Sequence, residues 1–102
     1  MSRVYVFTRT AIHDLELILD HLAVVSSINR SEDFLNRLNQ LCSKLLAFPK
    51  MGRARHELLP NLRSFPLDDV LIFYRPTEMG IEILRVVSSY RDLRALFEDH
   101  DL

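Results

Sequence analysis

LRSFPLDDVLIFYRPTEMGIEILRVV, residues 62–87, decides the fold. It holds three apolar runs, Leu62 to Pro66, Val70 to Tyr74 and Ile81 to Val87, rich in the β-branched and aromatic residues that suit strands. The links between them, LDD and PTEMG, are short and carry turn residues, so the stretch predicts two successive hairpins. Val70 to Tyr74 has no polar alternation, the pattern of a central strand covered on both sides.

Upstream of this stretch the period changes from two to that of helices. Ala11, Leu15, Ile18, Leu22 and Val25 fall on one stripe, predicting a helix from a cap at Thr8 to about Val25 or Ser27. Phe34, Leu38, Leu41, Leu45 and Phe48 predict a second, capped by Asn29 or Ser31 and ending before Pro49. SSINRS is too short a break for anything but an antiparallel helical hairpin. RVYVFT, residues 3–8, reads as a strand before the hairpin, and RDLRALF, residues 91–97, as a short closing helix. The expectation is a single α+β domain over residues 1–102. Its helical hairpin packs on one face of a mostly antiparallel four-stranded sheet.

Composition narrows what such a domain can do. With 102 residues, 48% hydrophobic and 26% charged, the chain has the make-up of an ordinary globular protein. No apolar run approaches the roughly 20 residues that cross a bilayer, and no signal peptide is visible, so the expected compartment is the cytoplasm without a membrane partner. The net charge is −1, but residues 44–63 alone carry +4, while the segments before and after carry −1 and −4. A protein that lives by gripping phosphates is usually basic throughout, so this distribution leaves one local anion-facing patch at most. Cys42 is the sole cysteine and sits among Leu41, Leu45 and Leu46, the setting of a packed, inert thiol. The four histidines have no ligand spacing, and neither a metal nor a cofactor is expected.

Four segments carry a family resemblance: AIHDLELILDHL (11–22), FLNRLNQLCSKLLAFPKMGRARHEL (34–58), LRSFPLDDVLIFYRP (62–76) and GIEILRVVSSYRDLRALF (80–97). Taken together they resemble the ParE/RelE superfamily of toxins from bacterial type II toxin-antitoxin systems, and the ParE branch in particular. The resemblance implies a growth-inhibiting, plasmid-stabilising toxin that poisons DNA gyrase and is held inactive by a ParD-like antitoxin with an amphipathic C-terminal segment. It implies no catalytic residue in that case. The RelE-like branch implies instead a ribosome-dependent endoribonuclease that meets nucleic acid, with Arg63, Tyr90 and Arg91 at its centre and His56 or Glu57 as base.

Arg53 and Arg55 stand where RelE-type enzymes carry lysines, and an arginine stays protonated and makes a poor general base. Ser88 and Ser89 stand where ParE-like sequences often read His-Gly, which keeps open an inactive toxin fold that only binds its antitoxin. On the gyrase reading, Arg63, Arg75 and Arg85 are the expected antitoxin contacts, and Tyr90, Arg91, Arg94 and Phe97 the expected target contacts. The competing structural expectation is that Arg91 pairs with Asp14 and that Arg63 and Arg85 reach the helix-free face of the sheet or its rim. That face is expected to be an open apolar groove.

Overall fold

The computed structural model describes residues 3–88 and 96–97. The elements run β1 (Val4–Phe7), α1 (Arg9–Val25), α2 (Ile28–Ala47), β2 (Arg53–Ala54), β3 (Arg63–Leu67), β4 (Val70–Thr77) and β5 (Gly80–Ser88). The sheet order is β1-β5-β4-β3-β2, antiparallel throughout except where β1 lies parallel to β5. The sheet therefore has a fifth strand beyond the four expected. β2 is two residues long and pairs only Arg53 with Ser64 and Ala54 with Arg63, too short to leave a periodic signal.

Thr8 caps α1 as expected, its hydroxyl accepting the Ala11 N–H at 3.0 Å. The second helix begins earlier than expected: Ser27, not Asn29 or Ser31, accepts the Arg30 N–H at 3.1 Å. Ser31 is instead buried, donating its hydroxyl to the Leu19 carbonyl and so pinning α2 against α1. Two residues expected on the buried stripes are exposed. Val25 ends α1, and Phe48 is the residue after α2, where the backbone has left the helix and turns the side chain outward.

Phe34, Leu38, Leu41, Cys42 and Leu45 of α2 and Ala11 of α1 meet Ile72, Tyr74, Ile81, Ile83 and Val86 of the sheet in one core. The other face is not the open groove expected. Phe73, Leu84 and Val87 project from it and are covered by Leu62 and Leu58 of the connector and by Leu96 and Phe97. Phe97 meets Phe73 edge to face, with ring centres 5.0 Å apart. Of the expected closing helix, residues 96–97 are helical and 91–95 lie outside the described residues.

A bulge sets which way β5 points. Phe73 pairs with Arg85 and Tyr74 with Ile83, so Leu84 has no partner across the ladder. β1 ends beside this point, and two side chains of α1 and its cap take over as partners of the β5 edge. Thr8 donates its hydroxyl to the Leu84 carbonyl at 3.0 Å, and Asp14 accepts the Val86 N–H at 3.0 Å. Buried backbone groups are thereby paired where no strand is left to pair them. At the far end Gly80, with φ 145, lies so close to β1 that a Cβ would strike the Val4 carbonyl.

Candidate functional site

The three arginines expected to touch an antitoxin occupy three different settings. Arg75 is exposed on β4 and pairs with Glu82, directly opposite on β5, at 2.8 Å. A surface pair of this kind contributes about 0 to 1 kcal/mol and is readily exchanged for a partner's carboxylate. Arg63 on β3 is half-buried. Its Nη1 donates to the Gly52 carbonyl at 2.8 Å and to the Lys50 carbonyl at 3.3 Å. Arg85 is mostly buried and gives two hydrogen bonds to Asp14, at 2.8 and 3.0 Å.

Asp14 is thus held by Arg85; Arg91, the partner expected for it, lies outside the described residues. The Arg85 pair has a geometric reason. Arg85 pairs with Phe73, whose side chain is on the helix-free face, and from there its guanidinium reaches the rim of β5, where β1 has ended and Asp14 is already fixed by Val86. Charged groups at so buried a position need their partner: removal of either would leave the other uncompensated.

Arg63 belongs to a lock on the turn after α2. Tyr74, fully buried in the core, donates its hydroxyl to the Pro49 carbonyl at 2.7 Å and accepts the Gly52 N–H at 2.9 Å. Burial pushes this phenol above its ordinary 10.0, opposed by the Gly52 N–H and the nearby Arg63. Gly52 is required here, because a Cβ would sit 2.5 Å from the Tyr74 hydroxyl and 2.9 Å from the Ser64 carbonyl. Arg55 continues the lock, donating to the Ser64 hydroxyl at 2.8 Å and lying 3.6 Å from Glu57. The basic connector is therefore a knotted, hydrogen-bonded turn more than a loose cationic loop.

For acid-base chemistry this arrangement is poor. Glu57 is exposed, and its carboxyl is held below its ordinary 4.5 by its own backbone N–H and by Arg55 and Arg53, against the opposing effect of desolvation. A lowered pKa makes a weaker base at neutral pH. His56 is exposed on the same turn. Of the remaining expected site residues, Tyr90 and Arg94 lie outside the described residues and Phe97 is buried against Phe73.

One feature escaped the sequence reading. Arg37 of α2 grips Asp68, in the β3–β4 turn, through two hydrogen bonds of 2.7 Å. Beside this clamp lies a concavity of about 640 Å³ with an apolar floor of Ile18, Leu22, Phe34 and Val70. The signal was present in Asp68-Asp69 at a tight turn, where Asp68 takes φ 55, but its partner is 31 residues away and on another element.

The order of elements and the residues that carry the lock and the Asp14 clamp fall within a region matched by the family model for the ParE toxin of type II toxin-antitoxin systems, parDE, over residues 5–93. The chain belongs to this family of ParE toxins. It is 30% identical to Toxin ParE3 of Caulobacter vibrioides over 95 residues, covering 93% of this chain and 94% of the relative. It is equally 30% identical to Toxin ParE1 of Mycobacterium tuberculosis over 94 residues, covering 91% of this chain and 96% of that one. Among solved structures, a chain of the chromosomal ParDE TA system from P. aeruginosa shares the fold, with a TM-score of 0.70 at 23% identity, covering 84% of this chain and 95% of the other.

Proposed function

We propose that this ParE-type toxin acts in the cytoplasm by inhibiting DNA gyrase, trapping its cleaved DNA complex, and that a cognate ParD-like antitoxin neutralises it. The observation that carries the reading is the family match across residues 5–93, which spans the hairpin and the whole sheet. The state of Arg63 adds support: a guanidinium whose Nη1 already serves two backbone carbonyls is a poor holder of a substrate phosphate. With Arg53 and Arg55 in place of lysines and Glu57 a weakened base, His56 is the one expected proton acceptor left to the ribonuclease alternative.

In this reading Arg75 is the readiest antitoxin contact, since its pair with Glu82 is exposed. Arg63 and Arg85 then act mainly by fixing the turn after α2 and the rim of β5. Tyr90, Arg91, Arg94 and Phe97 form the segment assigned to target contact. Purified chain, relaxed plasmid, gyrase and ATP, in a system without ribosomes, provide the test. Loss of supercoiling with appearance of linear DNA is the expected result. Unaltered supercoiling by demonstrably folded protein would overturn the gyrase assignment and move it to ribosome-bound RNA cleavage or to an inactive toxin fold.

A further inference from the structure

The two edges of the sheet are protected unequally. On one side β3 is covered by β2 at Arg63 and Ser64, and the next residue facing outward along that edge is Pro66, which has no N–H to offer. On the other side stands β1. Its Val4 N–H donates to the Met79 carbonyl and the Thr8 N–H to the Ile83 carbonyl, so the alternation of a parallel ladder turns Val4, Val6 and Thr8 toward β5. The backbone donors and acceptors of Tyr5 and Phe7 point the opposite way, along a free edge, and have no hydrogen-bond partner among the described residues.

The side chains around this edge are also unprovided for. Tyr5 and Phe7 pack against the helical core, which places Val4 and Val6 on the opposite face, where they are 45% and 49% exposed. Arg3 before the strand and Arg9 after it are both exposed and have no ion-pair partner among the described residues. An apolar edge bracketed by two exposed cations, all unpaired among the described residues, has the complement of one kind of segment.

We propose that the free edge of β1 is a strand-addition site for an extended apolar segment with acidic residues at both ends, supplied by a partner protein. Its backbone would take up the donors and acceptors of Tyr5 and Phe7, alternate side chains would cover Val4 and Val6, and its acidic flanks would meet Arg3 and Arg9. A second copy of this chain is the less suitable occupant, because pairing β1 with itself would crowd Arg3 and Arg9 of both chains onto one short ribbon. The inference rests on the toxin-antitoxin reading only for the source of such a segment, and the peptide measurement below and the gyrase assay fail independently.

The probe is a synthetic peptide of five alternating valines and threonines with two glutamates at each end, compared with the same peptide flanked by lysines. Backbone amide exchange is followed residue by residue in the full chain. The glutamate peptide is expected to slow exchange at Tyr5 and Phe7 at least tenfold. Arg3→Glu with Arg9→Glu, both at exposed positions, should weaken that peptide about tenfold and favour the lysine peptide instead. An unchanged thermal midpoint certifies the fold of this variant, and Val6→Lys should weaken both peptides if it does not. Protection at Leu62 or Leu84 in place of Tyr5, no protection at millimolar peptide, or protection of Tyr5 in the free chain with dimer formation would each overturn the proposal.

Discussion

Beneath the helices the sheet buries Leu38, Leu45, Ile72, Tyr74 and Ile83 in a layer contributed by long elements, each held at both ends by other structure. On the far side Phe73, Leu84 and Val87 are just as thoroughly buried, but by a connector without regular structure around Leu58 and by the single pair Leu96 and Phe97. Equal burial does not mean equal anchoring. The first layer cannot open without unfolding the hairpin, whereas the second can lose part of its cover at lower cost because the connector around Leu58 is held by no helix or strand of its own.

Truncation in each layer should expose this difference. Leu38→Ala in the helical layer is expected to lower unfolding free energy by about 3 to 5 kcal/mol, the range for a large core side chain whose cavity cannot collapse. Urea unfolding followed by circular dichroism measures it. Next comes Asp14→Ala, which strands Arg85 and the Val86 N–H together, with an expected loss of about 3 kcal/mol. Adding Arg85→Met should restore part of that loss, and a double variant worse than the single would contradict the clamp.

Phe97→Ala, despite removing an aromatic contact of the same kind of burial, should cost only about 1 to 2 kcal/mol if the layer it belongs to, covered by the irregular connector, opens ahead of the global transition. A cost as large as that of Leu38→Ala would show that the two layers unfold as one. The smallest effect at neutral pH belongs to Cys42, whose thiol burial pushes up to about 12 from its ordinary 9.0. A raised folded-state value stabilises below the unfolded value and is lost as pH climbs, so the thermal midpoint should be level near pH 7 and fall between pH 9 and 12. Tyr74 contributes in the same direction, and Cys42→Ala should flatten the fall. At pH 8 a thiol reagent should label the native chain far more slowly than the unfolded one.

The helical layer was the legible one. Stripes at helical spacing named Phe34, Leu38, Leu41 and Leu45, and Thr8 announced its own cap, because these are local patterns whose cause lies within a few residues. The covering of the far face was not legible: Leu58 and Leu59 stand in a segment rich in turn and basic residues, and nothing local says that they fold back under Phe73. The same holds for the site. Arg63, Arg75 and Arg85 all stand out in the sequence, yet Asp14 as the partner of Arg85 depends on a bulge and a strand end, and Gly52 as that of Arg63 on a turn, that only the assembled fold creates. The family was legible because its motifs coincide with those structural locks.

The pairing of β1 with β5 has a temporal consequence. Val4 finds its ladder partner at Gly80, so β1 leaves the ribosome long before the strand it pairs with, and the hairpin of α1 and α2 is made while the sheet is incomplete. Contacts between such distant segments are slow to form. A chain ordered in this way completes its sheet only once β5 has been made, which gives a toxin little opportunity to act half-built.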